Sequence, residues 1–123
     1  MQSAKLLDNE KPILWMGSSL EDLLEFPDMA RREAGYQLSR VQHDLDPERW
    51  KDFKTVGAGV REIIISEEGG AFRVMYVAKF EEAVYVLHSF QKKTQQTSKH
   101  DKQVATRRYK QVLAEQSKRR KDG

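Results

Sequence analysis

The apolar run "AFRVMYVAKF", Ala71 to Phe80, has Arg73 inside it, and the next run, "AVYVLHSF", Ala83 to Phe90, carries His88 and leads into Gln91, Lys92 and Lys93. These are the groups from which a hydrolysis or transesterification without a metal would be built: cations for an anionic substrate, and a histidine that titrates near neutral pH. Strand alternation puts Phe72, Val74, Tyr76, Ala78 and Phe80 on one side, expected to be the core, and Arg73, Met75, Val77 and Lys79 on the other. A guanidinium is costly to desolvate. Arg73 therefore either meets a carboxylate, such as Glu62 on the neighbouring strand, or faces an open cleft where an anion binds. Taken singly, the residues have plainer explanations. A lone strand histidine is more often a hydrogen-bonded core residue, and Lys92 and Lys93 are more often solvated surface. Adjacency to Arg73 is what would give them weight.

Other chemistries fit less well. "GAG" at Gly57 to Gly59 precedes a strand and lacks the lysine and hydroxyl of a phosphate-binding loop. The acidic residues have no metal-ligand rhythm, there is no cysteine, and His43, His88 and His100 are too scattered for zinc. No metal and no small-molecule cofactor is expected.

The elements that must position these residues follow from spacing. "PILWMG" reads as a short strand stopped by Gly17, and Ser19 with Asp22 as a helix start. Pro27 suits the first turn of a second helix, in which Ala30, Ala34, Leu38 and Val41 form a stripe that should pack on a sheet. Gly35 inside it costs about 1 kcal/mol relative to alanine, which predicts close packing or a bend there. Asp44 to Gly59 reads as a loop pinned by Trp50 and Phe53. Three strands, Val60 to Ile65, Ala71 to Phe80 and Ala83 to Phe90, form an antiparallel meander joined by "SEEGG" and a tight "EE" connection. The last helix has Ser98 and Asp101 as a capping pair and Val104, Ala105, Tyr109, Val112 and Leu113 on one face. The fold class is α+β: an amino-terminal strand, two helices, a three-stranded meander and a carboxy-terminal helix.

A chain of 123 residues fits one domain with one modest core. The domain is expected over residues 1–117, with a frayed basic tail over 118–123. The formal charge of +3 is divided: residues 1–90 carry 11 Lys/Arg against 16 Asp/Glu, and residues 91–123 carry 11 against 3. A basic end on an acidic body suggests a polyanionic partner, although a solvated helix gives the same count. No run approaches the roughly 20 apolar residues of a membrane span, and acidic residues interrupt any signal-peptide pattern. A cytoplasmic setting is expected.

The runs "WMGSSLEDLLEFPDMARREAGYQLSRVQ", "WKDFKTVGAGVREI" and "AFRVMYVAKFEEAVYVLHSFQKKTQQTSKHD" resemble the phage-derived branch of the HigB-like toxins within the RelE superfamily, from Leu14 to Leu113. The specific part is an aromatic-Arg-Val strand followed by a Leu-His-x-Phe-x-Lys-Lys-Thr strand end. The resemblance implies a RelE-like fold and a bacterial endoribonuclease that cuts mRNA, usually on the ribosome, and is silenced by a helix-turn-helix antitoxin. Residue by residue it falls on Arg73 and on Lys92 and Lys93, with Tyr76, His88 and Gln91 beside them. Candidate catalytic residues are then Arg73, Lys92, Lys93, His88 and Tyr76. Gln91 and, on the basic helix, Lys99, Lys102, Arg107 and Arg108 are candidate RNA contacts. In the chemistry implied, the 2′-hydroxyl of RNA attacks its own phosphate, arginine stabilises the added charge, and lysine or histidine moves the protons. One position departs: where the family's first meander strand reads Glu-Ile-Arg, this chain reads Glu62-Ile63-Ile64. Arg61 falls on the opposite face and is a poor substitute. A member that binds RNA or antitoxin without cutting, and a plain interaction module with a solvated basic helix, are the alternatives.

Overall fold

The computed structural model describes residues 10–67 and 69–122. In chain order it has β1 (Ile13–Trp15), α1 (Ser19–Leu24), α2 (Asp28–Gln42), β2 (Trp50–Asp52), β3 (Val60–Glu67), β4 (Gly70–Val77), β5 (Val84–Lys92) and α3 (Lys99–Asp122). The sheet has five strands in the order β1-β5-β4-β3-β2. β1 runs parallel to β5, and the other neighbours are antiparallel. The α+β class and the meander stand, but the sheet is larger than three strands. The additional strand β2 lies in the stretch expected to be loop. Three residues are too few to display an alternation, yet Lys51 pairs Glu62 and the Arg61 guanidinium sits 3.9 Å over the Trp50 ring. The β4–β5 connection is also longer than "EE", because β4 stops at Val77 and residues 78–83 form the loop.

Both faces of the sheet are covered, which corrects the expectation of one core. α1 and α2 close one face over Leu38, Ile63, Phe72, Val74 and Val86; α3 closes the other over Val60, Met75, Val77, Leu87 and Val112. β4 and β5 are therefore buried on both sides, and their near-continuous apolar runs are what such strands require. The Ala30, Ala34, Leu38 and Val41 stripe packs on the sheet as its period implies. Leu113, expected on the buried face of α3, is 40% exposed.

Helix ends follow local chemistry, with two changes. The Asp101 N–H donates to Ser98 Oγ at 3.0 Å, and Ser98 Oγ donates to Asp101 Oδ2 at 2.7 Å, the expected capping pair. Ser19 does not cap α1. It lies inside the helix, buried, and donates to the Val86 carbonyl at 3.2 Å, while Ser18 Oγ donates to Asp22 Oδ2. α3 continues through residues 118–122, assigned to a tail in the sequence, and Lys118, Arg119, Arg120 and Lys121 are exposed on it. Among the described residues no helix is long and apolar enough to cross a membrane.

Gly35 is neither tightly packed nor the site of a break, since α2 is continuous and, its chain neighbours and the adjoining helix backbone aside, no atom lies within 4 Å of where its Cβ would be. The position keeps the entropic cost of glycine without a packing reason. Gly35→Ala should therefore stabilise the protein by about 1 kcal/mol, seen as a rise of a few degrees in calorimetric Tm. A fall in Tm would mean that the site is occupied in a way the structure does not contain.

Candidate active site

The register of three strands assembles the candidate site on the face covered by α3. Ile64, Arg73 and Phe90 form one cross-strand row, Glu62, Met75 and His88 the next, and Ala71 pairs Lys92 beyond them. His88 is in this set because of a one-residue shift between Met75 and Tyr76: Tyr76 pairs Val86, but Met75 pairs His88, leaving Leu87 as the extra residue of a bulge. Without it, His88 would face α1 and α2. The bulge carbonyl does not go unpaired, because Arg108 Nη1 donates to Leu87 O at 3.0 Å.

Arg73 meets a carboxylate. Its Nε lies 3.6 Å from Glu62 Oε1, with the arginine side chain 12% exposed and the glutamate fully buried. The same oxygen is 3.6 Å from Lys51 Nζ, and Oε2 accepts from Thr97 Oγ1 at 3.3 Å. Neither Glu62 Oε1 nor Arg73 Nε has a partner at hydrogen-bond distance, so this is an ion-pair cluster and not a fork-to-fork lock. Arg73 Nη1 donates to its neighbour's carbonyl, Phe72 O, at 3.0 Å. Burial lowers the Arg73 pKa, Glu62 opposes that, and Arg49 adds to it. Lys92 is likewise lowered, by desolvation first and then by Arg73 and Lys51. The cluster is thus cationic, with one buried carboxylate at its floor.

His88 is a core residue held by a partner. Its Nε2 lies 2.7 Å from Asp101 Oδ1, its ring stacks on Phe90 at 4.8 Å, and Nδ1 is buried without a partner. Asp101 therefore serves both the cap of α3 and the histidine. Lys93 is exposed and, with Gln91, Lys92, Thr94, Ser98 and Asp101, borders a cavity of about 280 Å³ at the β5–α3 junction.

The other candidates separate. Tyr76 is 1% exposed and lies on the opposite face, paired with Arg61, so it does not join Arg73. Lys99 and Arg107 are exposed and Lys102 half-buried along the outer side of α3. Arg108 does not join them. Its guanidinium is engaged with Leu87 O and, at 3.2 Å, with Ser18 Oγ. Ile64, where the resemblance leads one to expect an arginine, stands directly across from Arg73. Lys51, Thr97 and the second role of Asp101 were not foreseen. Lys51 lies in a strand too short to read, and nothing in Ser-x-x-Asp signals a distant histidine.

The family model described as phage derived protein Gp49-like (DUF891) matches residues 21–110, which include every site residue named above except Ser18. No curated protein matches the chain.

Two measurements test the cluster. Glu62→Gln keeps the shape but removes the charge facing Arg73 and Lys51, and should cost about 3 kcal/mol or more in urea unfolding. Replacing Glu62 and Arg73 together by methionine should restore most of it; a double loss equal to the sum of the two single losses would mean that the charges are not coupled. His88 gives a pH signature. Burial pulls its pKa below the ordinary histidine value, against the opposing influence of Asp101. The unfolded chain takes up this proton near pH ~6.5, so below that value the unfolded state binds more protons and stability falls. The parent should be less stable at about pH 5.5 than at about pH 7.5, and His88→Gln should shrink that difference. An undiminished difference would assign it to other groups.

Proposed function

The chain belongs to the Gp49-like family of phage-derived proteins, and from that premise we propose that it is the toxin of a toxin–antitoxin pair, a metal-independent endoribonuclease that cuts mRNA on the ribosome. The observation that carries this reading is the gathering of Arg73, Lys92 and His88 on one sheet face at the β5–α3 junction. In the proposed reaction the 2′-hydroxyl of RNA attacks the adjacent phosphorus, and the 5′-oxygen leaves. Negative charge grows on the phosphorane oxygens, where the free edge of the Arg73 guanidinium stabilises it. The lowered pKa of Lys92 suits it to donate the leaving-group proton. His88, kept neutral by burial and donating from Nε2 to Asp101, keeps a lone pair on Nδ1 to accept the 2′-hydroxyl proton. Lys93 and the exposed cations of α3 hold flanking phosphates. A helix-turn-helix antitoxin is the proposed inhibitor.

Ile64 favours a second reading. With an isoleucine across from Arg73, and Arg73 itself paired with Glu62, the site holds less uncompensated charge than two arginines would supply. A chain of this kind could bind RNA or an antitoxin and not cut.

Arg73→Lys distinguishes these readings because it retains a cation beside Glu62 and removes the fork. Cleavage of a reporter message, followed by primer extension, should fall by roughly 10² or more with Tm nearly unchanged. The products should carry 2′,3′-cyclic or 3′-phosphate beside 5′-hydroxyl ends, and where cleavage proceeds without intact ribosomes it should be as fast in EDTA as in magnesium. Parental rates in Arg73→Lys would remove that residue from the reaction. If the parent is inert and Ile64→Arg gains activity, the second reading holds for the natural chain.

A further inference from the structure

We infer that the cavity between the end of α1 and the end of β5 is a docking pocket for an arginine side chain of a partner polypeptide. This inference is independent of the cleavage reading. The cavity, about 330 Å³, lies at the edge of β5 beyond the last residue that pairs with β1. Ser89 lines it, 2% exposed, and its Oγ has no hydrogen-bond partner. A buried polar atom left open at a cavity is a vacancy for a donor. Asp22 and Glu25 supply carboxylates at the rim. Glu25 has no side-chain partner among the described residues, and the nearby cation Arg108 is engaged with Leu87 O and Ser18 Oγ.

The walls say which donor fits. Phe26 and Phe72, whose ring centres are 4.9 Å apart, and Phe90 line the same space. Aromatic walls with carboxylates at the rim suit a planar cation, which stacks on a ring while its N–H groups fork onto oxygen. The carboxylates repel phosphate, so RNA is disfavoured here even though the other side of β5 attracts it. A polypeptide source is favoured by the elements that supply the carboxylates: Leu20 and Leu24, one turn apart on α1, and Met29 at the start of α2 do not line the cavity but are 36%, 52% and 61% exposed. Exposed apolar side chains on the same helices as an acidic cavity suit a protein partner better than a small ion.

The test is an NMR titration of the full chain with N-acetyl-arginine methylamide. Saturable shifts at Asp22, Glu25, Ser89 and Gln91 are expected, with the neutral citrulline analogue binding about tenfold weaker or less. Glu25→Gln should weaken binding several-fold, and Ser89→Ala should weaken it without lowering Tm. The inference fails if no saturable shifts occur at these residues, or if citrulline binds equally well. Tighter binding of agmatine than of the capped arginine would make this a small-molecule site. Dimerisation in sedimentation that Glu25→Arg abolishes would make the occupant a second copy of the chain.

Discussion

Glu62 is fully buried on β3 and faces cations from two neighbouring strands, Lys51 on β2 and Arg73 on β4, while Thr97 reaches it from the loop that starts α3. An ionised carboxylate in that position is tolerable only while those partners remain. Four segments from across the chain are therefore held in one arrangement by a single side chain. The cluster is weakly bonded for its depth, since its contacts are ion pairs at 3.6 Å. Replacement by packed hydrophobic residues could serve stability as well. What a hydrophobic core could not supply is an arginine held near the surface in a fixed direction.

That arrangement bears on the proposed chemistry. Lys51, Arg73 and Lys92 bring three positive charges against one negative charge, so an arriving phosphate meets a cationic site whose nearest cation is already half satisfied. The field is weaker than the residue types suggest, but it is preorganised, and preorganised dipoles and charges act without reorganising when charge develops. α3 contributes through its beginning more than through its length: the Ser98–Asp101 cap fixes the carboxylate that orients His88.

Much of this was legible in the chain, and the failures have physical causes. Alternation separated Arg73 from Phe72, because a period of two assigns faces without knowledge of the fold. It left two partners open for the guanidinium, a carboxylate such as Glu62 or an anion in a cleft, of which the structure shows the first. The same rule set Tyr76 apart from Arg73; only the family resemblance grouped them. Alternation cannot show that both faces are covered, and so Met75 and Val77 were not recognised as core. It also fails over three residues, which hid β2. Arg108 shows the limit of reading charge: an exposed cation and one that completes a backbone hydrogen bond have the same letter in the sequence.

The extra residue in β5 has a consequence for how such a chain can change over time. Side chains beyond Leu87 keep their faces only because the strand carries one residue more than its partner. Losing one codon between Tyr85 and His88 would exchange the two populations downstream, sending His88, Phe90 and Lys92 toward α1 and α2 and bringing Ser89 and Gln91 under α3. The count of residues in this segment thus constrains the site as strictly as any identity within it. One aliphatic residue can replace another along β5 with little effect, while an insertion or deletion there would re-aim its charged and polar side chains without changing the identity of one of them.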